Sequence, residues 1–192
     1  MRIHAIFRRA LRARMTTHAP VLAALTILGG CSSMAPPAVP LVLSVPAEQK
    51  LTLALKATGT QNYECQPSKT DPAQFQWILR GPDAILSDTD GKQVGRHYAG
   101  PTWEYQDGSK VVGAVKSSAP SPDADSVAWL LLDAKSTSGP GAFANVKSVQ
   151  RLETKGGKAP KQGCTRDLVG DTAKIPYTAT YYFYVAYPSS SY

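Results

Sequence analysis

Histidine is almost missing from this chain. Three occur in 192 residues, and His4 and His18 fall in a stretch that reads as an export leader, which leaves His97 alone in the mature protein. Any Ser-His-Asp or Cys-His arrangement would have to be built on that one side chain. There is no G-x-S-x-G nucleophile elbow and no G-K-[ST] phosphate loop. Cysteine is scarce as well, at three residues. Two lone cysteines and one histidine do not make a zinc set, so no metal and no cofactor is expected. No apolar run reaches the length of a membrane-crossing helix, and no stretch keeps a helical period for three turns.

What is present begins with the leader. Arg2, Arg8, Arg9, Arg12 and Arg14 form a basic region, followed by the short apolar run "PVLAALTIL". Then comes "LGGC", small residues just before Cys31, which resembles the lipobox of bacterial lipoproteins. Residues 1–30 are therefore expected to be a lipoprotein signal peptide, with Cys31 the lipidated first residue of the mature chain. Residues 31–40, "CSSMAPPAVP", read as a Ser/Pro/Ala tether, and residues 41–192 as one domain. The expected location is the cell envelope, on the outer membrane facing the periplasm, held there through the lipid on Cys31. Cutting the leader also changes the charge. The formal net of +7 includes its five arginines, so the mature chain carries a net of only about +2, and a nucleic-acid partner loses its support. Export suits the remaining pair, Cys65 and Cys164, which are expected to form a disulfide.

The apolar pattern has a period of two. "LTLALKAT" places Leu51, Leu53, Leu55 and Ala57 on one side, and "QFQWILR" alternates in the same way. "VAWLLLDA" and "YYFYVAY" are apolar on both faces and read as central strands. The turn signals "DTDGK", "QDGS", "SPDADS", "TSGPG" and "KGGKAPKQG" lie between these runs. The expectation is an all-β, single-domain antiparallel β-sandwich or partly closed barrel of nine to ten short strands. "WEYQDGSKVV" reads as a hairpin with a two-residue Asp107-Gly108 turn, pairing Trp103 with Val112 and Tyr105 with Lys110. A β-branched residue in place of Gly108 would resist that turn. His97 is expected among small residues, near the base of Trp103.

Five stretches, "GTQNYEC", "VGRHYAGPTWEYQDGSKVVG", "WLLLDAKSTSGPGAF", "VQRLETKGGKAPKQGC" and "IPYTATYYFY", occur in order over about Pro46 to Tyr187. In this the chain resembles an uncharacterised family of exported bacterial and fungal proteins, domain of unknown function 3455. The resemblance implies a small secreted or lipid-anchored β domain and carries over no activity. The paired cysteines and the "GPTW…DGS" hairpin fit its pattern.

Chemistry is thinner. A hydrolase using His97, with Asp107 nearby in sequence, is the alternative function. A carboxylate-pair glycosidase would draw on Glu64, Glu104, Asp107 or Glu153, and no spacing selects two of them. "DTDG", Asp88 to Gly91, lacks the later ligands of a calcium loop, and the lysines of "KGGKAPKQG" read as solvated. The preferred function is a non-catalytic envelope lipoprotein, either structural or binding a small ligand, a glycan or an envelope protein. His97, Trp103, Tyr105 and Arg151 are the candidate contacts, because each lies beside a turn or among small residues. On this reading His97→Ala should weaken binding at little cost in stability.

Overall fold

The computed structural model describes residues 35–188, so the leader, Cys31 and its lipidation lie outside the described residues. Eight strands run in chain order: β1 Gln49–Pro67, β2 Phe75–Ser87, β3 Gln93–Tyr98, β4 Thr102–Tyr105, β5 Lys110–Ala119, β6 Trp129–Ser138, β7 Val146–Gly156 and β8 Thr172–Ala186. Each pairs antiparallel with the next, and β1 pairs with β8, so one sheet closes into a ring. The ring is irregular. Register shifts interrupt β1, β2, β5 and β7, for example at Asn62/Tyr63 and Leu152/Lys155. Among the described residues there is no α-helix, only the short 3-10 turns Leu41–Leu43 and Arg166–Leu168.

The all-β expectation holds, with fewer and longer strands than the nine to ten foreseen. "LTLALKAT" and "GTQNYEC" are one strand, because β1 continues through Gly59 and absorbs the change of register in a bulge. "QFQWILR" and "GPDAILS" fuse through Gly81 in the same way.

Inside the ring, alternate residues of every strand meet. Leu55 and Ala57 of β1, Trp103 of β4, Val111 of β5, Leu132 of β6 and Tyr181 and Phe183 of β8 share one buried cluster. A second cluster lies on the other side of the sheet, where Ala54, Trp129, Leu131, Leu152, Tyr182 and Tyr184 pack under Leu43, with Val39 and Val45 beside it. This explains why "YYFYVAY" is apolar throughout: Tyr181 and Phe183 fill the ring, while Tyr182 and Tyr184 are roofed by the segment before β1. Two hydrogen bonds fix the roof. Gln150 Nε2 donates to Leu43 O at 2.7 Å, and the Tyr184 hydroxyl donates to Gln150 Oε1 at 2.6 Å. Packing thus begins at Val39, inside the stretch whose composition reads as tether.

Cys65, near the end of β1, is joined to Cys164 in the loop before β8, with Cα atoms 5.3 Å apart.

The β4–β5 hairpin corrects the expected register by one residue. Trp103 pairs with Val111 and Glu104 with Lys110. The connection is a three-residue loop, Gln106-Asp107-Gly108, closed by Tyr105 N–H donating to Ser109 O at 2.9 Å and Gly108 N–H to Tyr105 O at 2.9 Å. Asp107 is the reason. Its Oδ1 accepts the Ser109 amide at 2.8 Å and the Ser109 hydroxyl at 2.6 Å, an Asx-type turn that draws Ser109 inward. Gly108 then takes the left-handed position of the loop, at φ +83°. A one-residue slip reverses the faces, so Val111 rather than Val112 lies inside with Trp103.

Candidate functional site

His97 and Trp103 sit opposite each other on β3 and β4, joined by the turn through Gly100 and Pro101. Direct pairing places their side chains on one face, and that face looks into the ring. The two rings stack with centroids 4.5 Å apart and planes 8° from parallel. Tyr181 of β8 meets both edge-on, at 4.8 Å and 5.2 Å. Gly113 of β5 makes room for the indole, since a Cβ there would lie 2.9 Å from the Trp103 ring.

Beside this trio is a cavity of about 280 Å³. Its polar wall comes from Gln61, Arg80, His97, Arg151 and Tyr181, and its apolar wall includes Leu79, Val115, Leu130 and Leu132. Leu79 and Val115 are 51 % and 58 % exposed, which puts two large apolar side chains at the rim. An eight-stranded ring has an interior just wide enough to be filled by side chains or to hold one small ligand. Here the fill is incomplete, which leaves the cavity beside His97, Trp103 and Tyr181.

The electrostatics of the wall follow from burial. His97 is 2 % exposed, and desolvation pulls its pKa down to about 3. The hydrogen bond to Thr102 opposes that shift, and the nearby Arg151 charge adds to it. The imidazole is therefore neutral at physiological pH. Its Nδ1 lies 2.8 Å from Thr102 O, and a carbonyl only accepts, so the proton is on Nδ1 and Nε2 is an acceptor. Burial raises the pKa of the Tyr181 and Tyr177 hydroxyls, and the Arg151 charge opposes both shifts.

Arg151, on β7, directs Nε and Nη2 to the Ala128 carbonyl at 3.1 and 2.9 Å. Among the described residues it forms no ion pair with a carboxylate; the pairs present involve Arg80, Arg96, Lys110, Lys116 and Lys155. Gln61 Nε2 and Trp103 Nε1 are buried without a hydrogen-bond partner, while the buried Tyr181 hydroxyl interacts with the Tyr177 hydroxyl and the Arg151 guanidinium. Buried polar groups are normally satisfied, so two unpaired donors on residues lining one interior space are a feature in their own right.

Three of the four candidate contacts, His97, Trp103 and Arg151, line this one cavity. Tyr105 does not. It shares the inward face with Trp103 but packs edge-on to Phe143, ring centroids 5.7 Å apart. Asp107 is part of the hairpin end: besides Ser109, its Oδ2 accepts the Ala142 amide at 2.8 Å. It makes no hydrogen bond to His97, whose hydrogen-bond partner is the Thr102 carbonyl. The other carboxylates are held apart by separate partners. Glu64 is bound to Arg80 and Gln66, Glu104 to Tyr98, Arg96 and Lys110, and Glu153 to Tyr182. Asp88 caps its own turn through the Asp90 and Lys92 amides. Among the described residues, no group of three metal-ligating side chains comes together.

Gln61 and Tyr181 were not among the candidates. Gln61 could have been found: extending the inward period of Leu55 and Ala57 by two steps lands on it, and a glutamine at a core register needs a reason. Tyr181 carried no such mark, being one of several tyrosines in an apolar strand.

Residues 46–185 match the family described as a protein of unknown function (DUF3455). That is well over half of the chain, and the chain belongs to this family. No curated protein and no solved structure matches it.

Proposed function

We propose that this is a non-catalytic binding protein of the cell envelope, whose barrel-mouth cavity receives one small ligand. The observation that carries the reading is the pair of buried, unsatisfied donors on Gln61 and Trp103 beside a partly apolar space. Each such group costs about 1–3 kcal/mol when left unpaired, a penalty that a ligand in the cavity would relieve. His97 serves here as a stacked wall and a neutral acceptor. No observation favours the hydrolase alternative, since a base with its pKa pulled down to about 3 is a poor proton acceptor at neutral pH.

The test is a thermal-shift screen of the full-length protein against small metabolites, glycans and amphiphiles. A fitting compound at a hundred times its Kd should add about 2.7 kcal/mol of stability. A screen in which glycans alone shift the melt would contradict this reading, because the cavity is too small for more than one compact ligand. The envelope location rests on "LGGC" and the leader before it. Cys31→Ala should move the protein from the membrane fraction to the soluble one, and retention in the membrane would overturn the anchor.

A further inference from the structure

Resting on the cavity reading above, we infer that the ligand is a short amphiphilic carboxylate, its anionic end against Arg151 and its apolar body running out past Leu79 and Val115. The wall holds two guanidinium groups, Arg80 and Arg151, and no carboxylate. Arg80 is already paired with Glu64 at 2.8 Å. Arg151 has no carboxylate partner; two of its N–H donors go to Ala128 O, and it also interacts with the Tyr181 hydroxyl. Trp103 Nε1 and Gln61 Nε2 add further donors without partners. The side-chain acceptors on the wall are His97 Nε2, Gln61 Oε1 and the Tyr181 hydroxyl oxygen, which already meets Arg151. Donors are in surplus, so the missing partner is an acceptor, and beside an uncompensated cation it is an anion.

The charge count selects the type of anion. A phosphate monoester dianion would need a second free cation, and Arg80 is committed to Glu64. A carboxylate brings one charge and a planar pair of oxygens that suits the guanidinium fork. The rest of the lining selects the body of the ligand. Leu130 and Leu132 continue the apolar wall inward from the exposed Leu79 and Val115. A volume of about 280 Å³ lies just below the usual range for small-molecule sites, which favours a short chain over a long fatty acid.

The experiment is isothermal titration of the full-length protein with octanoate, octanol, octylammonium and octyl phosphate. Octanoate should bind at least about tenfold tighter than octanol, as expected for a charge-assisted hydrogen bond in a buried site, and octylammonium should not bind. Arg151→Gln should remove the preference for octanoate while keeping octanol binding. Equal binding of octanoate and octanol to the wild type would overturn the carboxylate assignment and leave the cavity reading standing. So would octyl phosphate binding more tightly than octanoate. If none of the four binds, the cavity reading fails with it. The wild-type comparison keeps the test decisive even if Arg151→Gln does not fold.

Discussion

The double variant Cys65→Ala, Cys164→Ala is expected to lose about 4–5 kcal/mol of stability and to melt roughly 10 to 20 °C below the wild type. The bond spans 99 residues of sequence, a ring that takes in nearly the whole sheet from the end of β1 through β7. In the chain-entropy account the cross-link acts on the unfolded chain, and its effect grows with the logarithm of the ring size. The folded state, by contrast, does not need the bond to hold its shape. β1 and β8 pair from Gln49 to Glu64, and the backbone at Cys65 is fixed separately: its N–H donates to Asp171 O at 2.9 Å, and its carbonyl accepts from Gly170 at 3.0 Å. The variant should therefore keep a wild-type β circular-dichroism signal at low temperature while losing stability in urea. Melts within about 2 °C of each other would show that the cross-link adds little to an already closed ring.

Period-two alternation carries information about faces, and what it could say was largely right. It put Leu53, Leu55 and Ala57 of β1 on one inward side and found an all-β domain, but it placed Leu51 with them, and Leu51 lies beyond a register shift and packs in the other cluster. It carries nothing about height along the ring. Trp103 and Tyr105 share a face, yet one lines the cavity and the other packs on Phe143 in a different part of the interior. Strand ends were misplaced for a related reason, since a glycine reads as a break in sequence but serves as a bend within a long ring strand. The hairpin register turned on a single side-chain hydrogen bond. Asp107 to Ser109 makes a three-residue loop of what composition alone reads as a two-residue one. The roof of Val39, Leu43 and Val45 was hidden because three apolar residues among prolines and serines have no period of their own; what they cover is decided by Tyr182 and Tyr184, more than a hundred residues away. The cavity was hidden too. Its lining draws a residue from each of the eight strands, which only the closure of the ring brings together.

His97 is also the source of the last expected result, and here the structure revises what the sequence implied. An imidazole 2 % exposed and stacked on Trp103 is a core group as well as a wall of the cavity, so His97→Ala should cost on the order of 2 kcal/mol or more rather than little. The sharper consequence is in the pH dependence. The folded pKa is lowered to about 3 from the ordinary 6.5, so between those values the unfolded chain takes up a proton that the folded one refuses. The stability contributed by the neutral, buried imidazole is present in full above pH 6.5 and is lost as the pH falls toward 3. The slope is about 1.4 kcal/mol per pH unit, or roughly 3 kcal/mol between pH 7 and pH 4. Glu64, Glu104, Asp107 and Asp123 also have lowered pKa values. Their contributions fade in the more acid part of the range, so the wild type alone does not isolate the histidine. The comparison with His97→Gln does, because glutamine does not titrate and can still donate to Thr102 O. The stability difference between wild type and variant, from urea unfolding at pH 7, 5 and 4, should shrink by about 3 kcal/mol on acidification. A difference that stays constant would mean that His97 takes up its proton as readily in the folded protein as in the unfolded chain, near pH 6.5. Below that pH it would be a second cation beside Arg151, and there the argument for a singly charged carboxylate over a phosphate would no longer hold.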